Sequence, residues 1–196
     1  VEVQAPYGYV LDSTPVYFDV AEEHSSDEGG ITVIKVDKPN MAQKGTVSIE
    51  KTGEVFSGVN ISGEENADAI YEITAAEDII TPDGTLRYAK GEVVDTVTTD
   101  ENGLAKSKEL YLGRYTVVEI TAPEGMVINK EAHEVELTYA GQEVAVTETA
   151  TSFVNERQKV TVSLEKAIEK NDIFNIGNGD EMKNISFGLF AAEELV

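Results

Sequence analysis

In the run QKGTVSIEKTG, residues 43–53, a lysine stands where a core residue is expected. Val47, Ile49 and Lys51 share one parity, and residues of one parity in a strand point to one face. If Val47 and Ile49 face a core, the Lys51 amine faces it too. A charged lysine in a core is costly, so it sheds its proton or finds a carboxylate. Glu119 is the first candidate partner, because it shares its parity with Tyr115 and Val117. Asn155 is the second, two residues after Phe153, although alternation alone also allows Val154 to point inward. For Asp37 alternation decides little, since Val33 and Lys35 share its parity.

The elements that would carry these residues are mostly strands. Alternating or β-branched runs recur as VYFDV, ITVIKV, TVSIEK, EVVDTVTT, YTVVEI, HEVELTY, EVAVTET and VTVSLEK. Turn chemistry separates them at DEGG (27–30), PDG (82–84), DENG (100–103) and AGQ (140–142). Many short strands at close spacing predict an all-β antiparallel sandwich. Helix formers in TAAEDI predict one short helical stretch near Ala75–Ile80. The polar segment 57–69 reads as a long loop.

The chain also repeats itself. QKGTVSIEK (43–51) returns as QKVTVSLEK (158–166), and YEITAAEDI (71–79) as FGLFAAEEL (187–195). VEITAPEGM (118–126) has an earlier copy in VEVQAPYGY (1–9), and KVDK (35–38) precedes the first QK as FVNE (153–156) precedes the second. A common offset of roughly 115 to 118 residues is domain-sized rather than solenoid-sized. The expected organisation is therefore one complete domain at 42–156, flanked by the C-terminal part of a preceding unit at 1–40 and the N-terminal part of a following unit at 158–196. Lys166 repeats the inward parity of Lys51 behind Val162 and Leu164.

A lysine ending a first strand, an E-x-x-A-P-x-G-Y motif late in the domain and an Asn or Asp in the last strand together resemble the Cna protein B-type domain. These prealbumin-like, SpaA-type sandwich modules belong to Gram-positive surface adhesins and pilins. Glu2–Tyr9 carries the whole motif, and Glu119–Met126 departs from it only at Met126. The resemblance implies an Ig-like or prealbumin-like β-sandwich with a spontaneous isopeptide bond. Lys51 would be the nucleophile, Asn155 the electrophile, and Glu119 a buried acid that polarises the carbonyl and shuttles protons. In the partial units Glu2 and Asp37 would be the acid and the electrophile, and Lys166 the nucleophile. Burial pushes a lysine towards its neutral form and a carboxylic acid towards its protonated form, so one apolar pocket sets both in reactive states.

Other chemistry has little material. The net charge of −22, from 15 basic and 37 acidic residues, argues against nucleic acid or anionic lipid as a partner. No run is long enough for membrane insertion. With no cysteine, neither disulfides nor thiolate metal sites are available. His24 and His133 lie far apart in sequence, no nucleophile-elbow motif is present, and the acidic stretches 22–30 and 98–103 lack EF-hand spacing. No cofactor or metal is expected, and no enzymatic turnover beyond a single crosslinking event. Asn60 and Asn184 begin glycosylation-type triplets. The expected function is a structural stalk or shaft module of an extracellular, cell-wall-attached adhesin or pilin, with neighbouring repeat units as partners. The alternative is a binding module that holds a host matrix protein or glycan through a face such as 57–69.

Overall fold

The computed structural model describes residues 1–19, 34–54, 66–174, 183 and 185–190. Residues 1–158 form one compact unit and 159–196 a second. Among its described residues the first unit has ten strands: β1 (Lys44–Gly53), β2 (Ile70–Ala75), β3 (Ile79–Ile80), β4 (Leu86–Tyr88), β5 (Val93–Thr98), β6 (Leu104–Lys106), β7 (Leu110–Tyr111), β8 (Gly113–Thr121), β9 (Ala132–Leu137) and β10 (Val146–Asn155). One sheet runs β10-β1-β6, with β7 also on β1; the other runs β5-β2-β8-β9; β3 and β4 form a small hairpin. Among the described residues the architecture is thus all-β, and the two-sheet sandwich expected from the sequence is the one observed.

Pairing within the second sheet is antiparallel, but β1 and β10 run parallel over ten residues, from Lys44↔Val146 to Gly53↔Asn155. The parallel seam is the feature that matters for the site. It brings the C-terminal ends of the first and last strands to the same end of one sheet. The core between the sheets is made of residues that alternate inward, including Val47, Ile49, Tyr71, Ile73, Tyr115, Val117, Leu137 and Phe153. The Tyr71 and Phe153 rings pack with centroids 4.8 Å apart. Each buried ring of this kind removes 150–250 Å² from water on average, roughly, so these two side chains anchor the core end next to Lys51.

Several sequence expectations are corrected here. Residues 75–80 form no helix: Ala75 ends β2, and Ile79–Ile80 is a strand. Six residues cannot repay helix nucleation, and the Ala76 amide is taken by the Arg114 carbonyl at 3.0 Å instead. Residues 16–19, 34–36 and 159–166 carry no strand, despite their alternation. A strand is a ladder, and a segment whose backbone has no paired neighbour gains nothing from a β-pattern. Residues 20–33, with His24, and 55–65, with Asn60 and most of the long loop, lie outside the described residues, as does Asn184. Among the described residues no helix is long and apolar enough to cross a membrane.

Candidate functional site: a buried lysine, glutamate and asparagine

The parity of β1 places Lys51 inward behind Val47 and Ile49, and its side chain is 1% exposed. β8 does the same for Glu119 behind Tyr115 and Val117, at 2%. β10 resolves the choice left open by alternation: Phe153 and Asn155 point in, and Val154 is 60% exposed. Three polar side chains from three strands therefore occupy the dry space between the sheets. In the parallel register Lys51 lies opposite Phe153, so Asn155 is two residues further along the neighbouring strand and on the same face. About 6.6 Å of rise and about 4.8 Å of strand spacing separate their backbones diagonally by roughly 8 Å. The flexible four-carbon lysine stem and the asparagine side chain together bridge such a gap.

Glu119 sits at the centre of the polar contacts. Its Oε2 accepts from the Asn155 side-chain amide, Nδ2, at 2.7 Å and from the Asn129 backbone N–H at 2.6 Å. Its Oε1 accepts from the Tyr71 hydroxyl at 3.2 Å. Burial, and then the neighbouring Glu119 charge, push the Tyr71 hydroxyl far above its ordinary pKa, so it stays a donor. Asn155 Nδ2 also donates to the Val127 carbonyl at 2.9 Å, while its Oδ1 is buried without a hydrogen-bond partner. The Lys51 amine donates to the Thr52 carbonyl at 3.0 Å. Desolvation holds the Lys51 pKa below its ordinary value, and the opposing charge effect of Glu119 is the smaller one. An amine biased towards neutrality, an amide carbon with an unpartnered carbonyl and a carboxyl on the amide nitrogen are the ingredients of an aminolysis.

The A-P-x-G part of the motif shapes the turn after β8. The Met126 N–H bonds to the Pro123 carbonyl at 3.1 Å, and Gly125 between them has φ +77°, a region where a side chain is strained. That turn leads the chain back over the site, where Val127 and Asn129 supply their backbone groups to Asn155 and Glu119. Three contributors were not singled out from the sequence: Tyr71, Val127 and Asn129. Tyr71 carried a usable signal, because it shares the inward parity of Ile73 in β2. The Val127 carbonyl and Asn129 amide act through backbone, which leaves no residue-type signal.

The residues expected in the partial units fall differently. Glu2 is half-buried and accepts from Asn40 Nδ2 at 2.8 and 2.7 Å. Asp37 is not at that carboxyl. It is exposed and paired with Lys35 at 3.6 Å. The signal that favours Asn40 is its distance from the repeated QK: it stands three residues before Gln43, as Asn155 stands three before Gln158. Lys166 is exposed in the second compact unit, in a segment without strand structure. His133 stacks on Phe153 with ring centroids 4.0 Å apart and bonds Thr151 at 2.8 Å, so it packs the core edge. Among the described residues no cluster of three or more metal-ligating side chains occurs.

A two-sheet sandwich closed by a parallel pairing of its first and last strands, with an amine, a carboxyl and a carboxamide buried beside that seam, defines a prealbumin-like module. The family model for the SpaA prealbumin-like fold domain matches residues 29–152, and the chain belongs to that family. Over 86 residues it is 30% identical to the trypsin-resistant surface T6 protein of Streptococcus pyogenes serotype M6, covering 42% of this chain and 16% of that protein. The TIE protein of Bacillus anthracis superposes with a TM-score of 0.50 at 25% identity, over 79% of this chain and 24% of that one. The major pilin SpaD of Corynebacterium diphtheriae aligns over 59% of this chain and 32% of its own, at 20% identity and a TM-score of 0.42. The chain thus spans no more than about a third of each of these relatives.

Proposed function

We propose that residues 42–156 are a load-bearing shaft module of a bacterial cell-surface protein, made rigid by an isopeptide bond between Lys51 and Asn155. The observation that carries this reading is the burial of Lys51, Glu119 and Asn155 together, with the Glu119 carboxyl 2.7 Å from the amide nitrogen that would leave. In the reaction the neutral Lys51 Nζ attacks Asn155 Cγ and a C–N bond forms. A proton passes from the amine through Glu119 Oε2 to Nδ2, the old C–N bond breaks, and ammonia departs. Glu119 is regenerated, so the event occurs once per molecule and is not turnover.

Proximity drives the step, since oriented intramolecular groups gain effective molarities on the order of 10⁵–10⁸ M. The product also removes the lysine charge from a site that penalises it. Because Lys51 is in the first strand of the sandwich and Asn155 ends the last, tension applied at the ends of 42–156 would load a covalent bond rather than unzip hydrogen bonds. That purpose accords with a cysteine-free chain and with relatives named as surface protein and major pilin. Extracellular placement, wall attachment and neighbouring repeat units as partners belong to the same proposal. The test is the intact mass of the denatured chain. It should fall one ammonia short of its sequence mass, and Lys51→Ala should restore the full value.

A further inference from the structure

The inward row of β1 starts from a second buried polar side chain, at the end away from Lys51. Gln43, directly before the strand, shares the parity of Val47, Ile49 and Lys51 and is 1% exposed. Its carboxamide is bonded on both sides. Nε2 donates to the Gly141 carbonyl at 2.8 Å and to the Val144 carbonyl, and Oε1 accepts from the Ala140 N–H at 2.8 Å. Those three backbone groups belong to the loop 138–145 between β9 and β10. The same loop holds the segment 5–11. Gln142 accepts from the Ala5 N–H through Oε1 and from the Leu11 N–H through its backbone carbonyl, both at 2.9 Å. The Tyr139 ring centroid lies 4.6 Å from that of Tyr7. Segment 5–11 is bonded to the residues around Gln43 as well. Tyr9 bridges Ala42, the Val10 N–H bonds the Met41 carbonyl at 2.9 Å, and the Gln43 N–H bonds the Gly8 carbonyl at 2.8 Å.

The other Ala-Pro-x-Gly turn, at 122–125, shows what the loop adds. Its backbone is arranged alike: the Gln158 N–H bonds the Gly125 carbonyl at 2.8 Å, and Gly125 has φ +77° where Gly8 has +84°. Its packing is not alike. Gln158 is exposed, and among the described residues a Cβ added at Gly125 would meet nothing within 4 Å. A Cβ at Gly8 would lie 2.7 Å from Pro82 Cγ, in the turn between β3 and β4. We propose that the loop 138–145, with Pro82 beside it, is a docking socket for an Ala-Pro-x-Gly turn, and that Gln43 and Gln142 lock the turn at 5–8 into it. An amide suits position 43 because it donates and accepts at once, which neither a carboxylate nor an amine can do. Eight residues of strand, about 26 Å, separate this lock from Lys51. A load reaching β1 through the segment 5–11 thus enters at one end of the strand and meets the proposed crosslink at the other. The docking itself does not depend on the crosslink.

The test is residue-resolved amide hydrogen exchange on the full chain. In the wild type the Ala5, Tyr9, Val10 and Leu11 amides should be protected together. Gln142→Ala removes the acceptor for Ala5 alone, yet release of the segment should raise exchange at all four amides by roughly fivefold, the equivalent of one hydrogen bond. Tyr9, Val10 and Leu11 discriminate, because their carbonyl partners at Pro6, Met41 and Gln142 survive the substitution. Gln142→Glu keeps an acceptor and should leave the four protected. Gln43→Glu cannot donate to Gly141 and Val144 and should raise exchange by roughly tenfold or more. The Val117 amide in β8 reports whether the sandwich itself has loosened; if it has in Gln43→Glu, Gln142→Ala decides. Gly8→Ala should free the segment, whereas Gly125→Ala, at a similar φ, should not. Open-chain exchange of 5–11 in the wild type, release confined to Ala5 in Gln142→Ala, or equal release by Gln142→Glu would overturn the socket.

Discussion

Replacing Lys51 by methionine removes the amine and keeps most of the side-chain volume, so the packing beside Phe153 and Tyr71 is little disturbed. The change isolates the contribution of the crosslink. A bond from Lys51 to Asn155 closes a loop of about 100 residues, for which chain-entropy arguments give roughly 4.7 kcal/mol. For a domain somewhat above 100 residues, each kcal/mol moves Tm by about 4 °C, so Lys51→Met should melt roughly 15–25 °C below the parent. Scanning calorimetry measures the shift, and intact mass on the same sample reports whether the bond is present. A fall of less than about 3 °C, in a parent proven to carry the bond, would refute the loop-closure reasoning.

Glu119→Gln keeps an acceptor for the Tyr71 hydroxyl but cannot carry a proton, so the chain should fold and keep its full sequence mass after prolonged incubation. Tyr71→Phe removes one buried hydrogen bond worth about 1 kcal/mol, and the crosslink should form more slowly but reach completion, as followed by mass against time. In Asn155→Ala the lysine stays buried without a crosslink, and its depressed pKa sets the pH response. The unfolded chain binds the proton that the folded chain resists, so stability is lowest below the folded pKa and rises with pH towards 10.5, the ordinary lysine value. Urea midpoints at two pH values in that alkaline range check the sign. Gly103→Ala should cost about 1–3 kcal/mol, because Gly103 has φ +76° and an added Cβ would lie 2.4 Å from the Lys51 carbonyl oxygen.

Much of this site was legible because it sits on strands. In β1 and β8 the period of two, anchored by Val47, Ile49, Tyr115 and Val117, forces Lys51 and Glu119 into the core. Alternation failed at Asn155 because the inward parity of β10 is threonine at 147, 149 and 151 while the exposed parity carries Val146, Ala150 and Val154, so no apolar period shows until Phe153. The parallel pairing of β1 with β10 was invisible, since strand direction depends on which distant segments meet and not on the pattern within either. The short KVDK resemblance points to Asp37, whereas the fixed spacing to QK points to Asn40, three residues before Gln43. Local pattern also overstated β-structure at 16–19 and 159–166, which form no ladder among the described residues.

The most direct measurement is peptide mapping by mass spectrometry of the denatured, protease-digested wild-type chain. A branched peptide joining residue 51 to residue 155, lighter than its two components by one ammonia, is the expected product. Separate linear peptides with unmodified Lys51 and Asn155, recovered in full from folded and aged protein, would contradict the account.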